Sequence, residues 1–174
     1  MAKQIVSPTG RETFFEPDEF IVSKTDLKGR ITYANDVFLR MARMTEKETI
    51  GAPHNIIRHP GMPRAVFKLL WDRILATEEI FAYVMNMASN GDHYWVLAHV
   101  TPSRDLSNNV VGFHSNRRRP DPSQVAKIQP LYRELTAIES GTADRKEGLA
   151  LSTAKLDATI RSTGKSYDEF VLSL

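Results

Sequence analysis

HNIIRHPGMPRAVFKLLW, residues 54–71, changes character at its centre. Up to Met62 the run is dense in Pro, Gly, His and Arg. Each proline removes a backbone donor and pushes the residue before it out of the α region, so this half is an ordered loop. Pro63 then suits the first turn of a helix, and Val66, Phe67, Leu70, Trp71, Ile74 and Leu75 recur at the 3.6-residue period. A shaped loop that runs into an amphipathic helix beside a sheet builds one wall of a ligand pocket, because loops on rigid scaffolds carry function.

Towards the N-terminus, FIVSKT alternates apolar and polar residues, DLKGR supplies a tight turn and ITYAN makes a second short strand, which together read as a hairpin. Asn35 or Asp36 caps a helix over VFLRMARM. Thr45 and Glu48 form a capping box for a short second helix that Gly51 ends. On the other side, IFAYVMNMA, HYWVLAHVTPSRD and VVGFHSNRR are strands separated by the turns SNGD and LSNN. Five antiparallel strands interrupted by helices after the second give an α+β fold with short helices on one face of the sheet.

Beyond Pro120 the composition shifts to helix formers. SQVAKIQPLYRELTAIES is amphipathic through Val125, Ile128, Leu131, Leu135 and Ile138, with a kink expected at Pro130. A further helix runs from Asp144 to about Thr163, with Leu149, Leu156 and Ile160 on one stripe and Gly164 as its stop. In SYDEFVLSL, Tyr167, Phe170, Val171 and Leu174 need a surface to bury against. The chain therefore divides into a loosely packed arm at 1–18, with Phe14 and Phe15 as its docking residues, a sensor-sized domain at 19–120 and a helical extension at 121–174. The stripe on the extension is too apolar to stay wet, which predicts homodimerisation or partner docking through these helices.

With 174 residues, 41% of them hydrophobic, the chain supports one core plus an extension. Its net charge of +2 is spread out except at Arg117, Arg118 and Arg119, which read as a solvated strand end and not as a nucleic-acid footprint. The absence of cysteine excludes disulfides, thiolate metal sites, cysteine nucleophiles and flavin–cysteinyl photochemistry. No run reaches the ~20 apolar residues of a membrane helix, and MAKQIVSPTGRETFF lacks a signal-peptide core, so a cytoplasmic protein without membrane insertion is expected. No Gly-rich phosphate loop, HExxH or nucleophile–base pattern argues for an enzyme. His93 and His99 share a strand face by parity, but no third metal ligand accompanies them.

The segments ITYAND, IGAPHNIIRHPGMPRAVFKLLW, MNMASNGDHYWVLAHVTP and VGFHSNRR resemble the PAS sensory domains, and among them the aerotaxis-receptor branch, over residues 20 to about 138. The resemblance implies the PAS fold, noncovalent FAD, sensing of oxygen or redox state, and a signal passed to a chemoreceptor or another output module. It places the flavin positions on Asn35, His54, Arg58, His59, Trp71 and Asn86. The residue types suit that role: Trp71 can wall the ring, Asn35 and Asn86 can donate and accept at its polar edge, and Arg58 can pair with phosphate oxygens. The same pocket also admits haem, with His54 or His59 as axial imidazole and Arg58 near a propionate, or no cofactor at all in a dimerising interaction module.

Overall fold

The computed structural model describes residues 6–174; positions 1–5 of the arm lie outside the described residues. Strands β1 (Ile21–Thr25), β2 (Ile31–Ala34), β3 (Ile80–Met87), β4 (His93–Arg104) and β5 (Val110–Arg118) form one antiparallel sheet in the order β2-β1-β5-β4-β3. Between β2 and β3 come α1 (Asp36–Ala42), α2 (Glu46–Thr49), a 3-10 turn at His54–Ile57 and α3 (Arg64–Leu75). The expected turns close as read: Gly91 takes a positive φ of 90° between β3 and β4, and Asn108 one of 65° between β4 and β5.

Local capping fixes where the helices begin. Asn35 Oδ1 accepts from the Phe38 amide at 3.0 Å, and Thr45 and Glu48 form the reciprocal capping box of α2. Helix α3 has no such device of its own, since Pro63 at its start offers no side-chain acceptor. The Glu139 carboxylate, far along the chain, instead accepts from the Arg64 and Ala65 amides at 2.8 and 2.9 Å. These are two of the donors that a helix start leaves unpaired.

Side-chain alternation sorts the sheet into two faces. Ile21, Val84, Ala98 and Phe113 lie on the face under α1–α3, whereas Tyr83 and Trp95 lie on the other. That second face is covered by α4 (Pro122–Gly141), which accommodates Pro130 in its interior and is followed by α5 (Arg145–Ser162) and α6 (Tyr167–Leu172). The Tyr132 ring stacks on Trp95 at 6.2 Å, and its hydroxyl donates to the Tyr83 carbonyl at 2.8 Å. Edge strand β3 is partly covered: the Phe81 amide donates to Asp168, the Met85 amide to the Met62 sulfur, and Asn86 bridges to Arg58. Masking of this kind blocks edge-to-edge pairing with another chain.

Two expectations change here. The stripe of the extension is not left for a partner: Leu156, Ile160, Tyr167 and Val171 are buried against the chain's own core, and Leu149 packs partly buried beside them. Amphipathicity reports that a face is covered, not by what. The arm is also not loosely packed where it is described. Thr9 and Thr13 donate from their amides to Gly91 and His93, the His93 amide donates to Arg11, and Phe15 is buried. The fully buried Asp92 carboxylate accepts from Arg11, Thr9 and Asn90, which holds it well below the usual carboxylate range. Of the two docking aromatics, Phe15 enters the core while Phe14 stays exposed against Arg119.

Candidate functional site

Between α3 and the sheet lies a cavity of about 430 Å³, within the ~300–1,000 Å³ usual for small-molecule sites. Val84, Ala98, Val100 and Phe113 make its apolar floor, and Phe67, Leu70 and Trp71 the facing wall. These three are only half-buried although they keep the helical period with buried Val66 and Ile74. Each packs against the core on one side and borders the cavity on another. Trp71 meets Phe113 edge-on at 5.7 Å, and on its other side presses against Gly29. A Cβ at Gly29 would stand 2.9 Å from the indole, and its φ of 74° also demands glycine, so the hairpin turn is shaped to admit the tryptophan.

The inner end of the cavity is polar. Arg117, 3% exposed, donates from Nη2 to Ser23 Oγ at 2.8 Å and to His54 Nε2 at 2.7 Å. Since a guanidinium only donates, His54 Nε2 is the acceptor and the ring proton sits on Nδ1. Burial and the neighbouring Arg117 push the His54 pKa down to about 3, so the imidazole is neutral at physiological pH. Arg117 itself is lowered to about 10 by burial and keeps its charge. Its ring neighbour is Phe38, 5.7 Å from the guanidinium, and its Nη1 has no partner among the described residues. Asn86 Nδ2 and Ser115 Oγ are likewise buried without partners on the same cavity wall.

Four cations, Lys28, Arg58, Arg64 and Lys68, are also among the lining, with Arg64 paired to Glu139 and Lys68 to Asp72. Arg58 donates to the Met62 carbonyl at 3.1 Å and lies 4.1 Å over the Phe67 ring, so it shapes its own loop while facing the cavity. Burial lowers its pKa, with Glu139 countering and Arg64 and Arg145 adding to the shift.

Of the six positions drawn from the sequence, the structure brings His54, Arg58, Trp71 and Asn86 to this cavity, and leaves Asn35 and His59 off its lining. The Asn35 amide is committed to structure: Oδ1 accepts from the Val22 and Phe38 amides and Nδ2 donates to the Phe20 carbonyl. His59 Nδ1 accepts from the Gly61 amide, and its ring lies edge-on to His93 at 5.7 Å. His99 stacks on Phe81 and pairs with Glu79, so the two strand histidines do not converge; no metal-holding group of three occurs among the described residues. Reading Arg117 as a solvated strand end is also corrected. It shares a face with Phe113 and Ser115, and the period-2 count along VGFHSNRR carried that signal.

The family described as PAS fold matches residues 19–116. The chain belongs to it. Among curated relatives, this PAS protein is 38% identical over 129 residues to the aerotaxis receptor of Escherichia coli (strain K12), covering 74% of this chain and 25% of that receptor. It is 26% identical over 90 residues to the nitrogen fixation regulatory protein of Klebsiella pneumoniae, covering 52% of this chain and 18% of that one. The chain thus spans about a quarter of the receptor and less of the regulator. Among solved structures, a light-oxygen-voltage domain studied with a flavin analogue superposes with TM-score 0.56 at 17% identity, over 64% of this chain and 83% of that one. The Aureochrome1 LOV photoreceptor domain gives 0.52 at 22%, over 71% and 91%. These superpositions establish the PAS fold, and the aerotaxis relative places the chain among signalling sensors.

The haem alternative finds no support at this site. The nitrogen that His54 would offer to iron is already held by Arg117 and Ser23, beside a fixed positive charge, and His59 does not line the cavity.

Proposed function

We propose that this PAS domain binds FAD noncovalently and works as a non-enzymatic cytoplasmic sensor of oxygen or redox state. The observation that carries the reading is the buried Arg117 with a free Nη1, beside the unpartnered Asn86 amide and Ser115 hydroxyl, on an otherwise apolar slot. An unpaired buried guanidinium is costly unless something electron-rich sits against it. A flavin supplies that complement: an apolar ring for Trp71 and the strand floor, and a polar edge for Asn86, Ser115 and Arg117. Lys28 and Arg58 on its lining fit a pyrophosphate and so favour the dinucleotide, whereas Arg64 and Lys68 are already paired with Glu139 and Asp72. A bound flavin would supply reversible electron uptake; without a cysteine, the chain cannot add a thiol to it. Similarity to the aerotaxis receptor supports the sensory role, with a homodimer feeding a chemoreceptor-type output module.

The absorption spectrum of the purified protein tests this, with mass analysis of any released chromophore. A yellow protein that releases FAD supports the reading. A protein that is colourless and takes up no flavin on refolding, or that is red with a dominant Soret band, rejects it.

A further inference from the structure

The cavity is not walled by the PAS fold alone. Leu149 of α5 lines it together with α3 and the sheet, and α5 packs along α3. The two helices are tied by more than apolar contact. Glu139, at the end of α4, accepts from Ser152 Oγ of α5 at 2.8 Å with the same oxygen that receives the Ala65 amide. Its other oxygen takes the Arg64 amide and Arg64 Nε, at 2.8 and 3.0 Å. Arg64 in turn donates from Nη1 to the Arg145 carbonyl at 2.9 Å, at the first residue of α5. Gly148 lets α5 approach so closely that a Cβ there would stand 3.2 Å from the Glu139 carbonyl. The start of α3, which carries Phe67 and Trp71 into the cavity, is therefore clamped by the α4–α5 hairpin.

We propose that α5 is a wall of the ligand site, so that filling the cavity and seating the α4–α5 hairpin on α3 stabilise each other. The inference rests on the flavin reading for the identity of the ligand, and on the shared wall for the coupling. Whatever binds against Leu149, Phe67 and Trp71 favours the state in which α3 and α5 are both in place, and that preference is reciprocal. The extension then carries a record of cavity occupancy without a separate relay.

The test uses the full chain with FAD as the probe, read by hydrogen exchange and by fluorescence titration. Leu149→Ala shortens the cavity-facing side chain, while Leu151→Ala makes the same change on the same helix at a half-exposed position. FAD should slow exchange in residues 145–162 as well as in α3 and β3–β5. Leu149→Ala and Glu139→Gln should each weaken FAD binding about tenfold, within the 5–150-fold range of usual coupling, with Leu151→Ala unchanged. Slowed exchange confined to α3 and the strands, with all variants binding like the parent, overturns the coupling and leaves the flavin reading standing. No uptake of FAD by the parent chain overturns both.

Discussion

Arg117 sets the electrostatics of the cavity. Reduction adds negative charge to a flavin, and a buried cation in the wall favours the reduced form. Arg117→Gln should therefore lower the midpoint potential of bound flavin, by about 30 mV for each ~1.4 kcal/mol of charge stabilisation lost in a two-electron couple. Spectroscopic redox titration measures this, and an unchanged potential would place the arginine away from the ring. His54 has a pH signature instead. Its folded pKa lies near 3, below the ordinary 6.5, so the unfolded chain takes up the proton first. The neutral ring's contribution is complete above 6.5 and declines as pH falls towards 3, with a limiting slope of about 1.4 kcal/mol per pH unit. His54→Gln, which keeps an acceptor for Arg117, should flatten urea-measured stability between pH 6 and 4.

At the scale of elements, α3 depends on a carboxylate from another helix. Burial pushes Glu139 up, but the Arg64 and Ala65 amides, Ser152 and the Arg64 side chain outweigh it, and the net direction is down from 4.5. A depressed carboxylate stabilises above its unfolded pKa and loses that contribution as pH falls through the folded value. Glu139→Gln should cost ~1.5–3 kcal/mol at neutral pH, the usual size for hydrogen bonds to a charged group. The variant and the parent should converge in denaturant midpoint well below pH 4; a gap that persists there would mean that the clamp acts by shape and not by charge.

For the whole molecule, the sheet has α1–α3 on one face and α4 on the other, α5 returns to pack on α3, and these layers draw on the same core. Leu156 is 1% exposed although it lies in α5. Leu156→Ala should therefore cost ~2–5 kcal/mol, the range for buried leucine deletions. It should lower the midpoint of one shared unfolding transition followed by tryptophan fluorescence and far-UV dichroism. Two separated transitions would show that the extension is an independent unit. Removing residues after Ser140 strips Leu156, Ile160, Tyr167 and Val171 from the core and Leu149 from the cavity, so it should impair folding and lower the denaturant midpoint.

The five strands in their chain order, the α1 and α2 caps, the hairpin turns and the pocket-facing helix at 64–75 were legible in the sequence, because each depends on neighbours within a few residues: period, capping pairs, and glycine or asparagine at turns. The loop at 54–63 could be referred to a ligand wall on the same local grounds, whereas Asn86 came only from the family resemblance. Asn35 shows the limit of that reasoning, since one amide suits a helix cap and a cofactor edge equally well. Its bonds to the Val22 amide and the Phe20 carbonyl appear only when the β1 segment and α1 meet. Arg117 needed the register that turns its strand face inward against His54 and Ser23, which lie 63 and 94 residues away in the chain. The clamp of Glu139 on α3 and the covering of the extension's apolar stripe likewise join segments far apart in sequence. Periodicity says that a face must be buried, and only the tertiary structure decides which surface buries it.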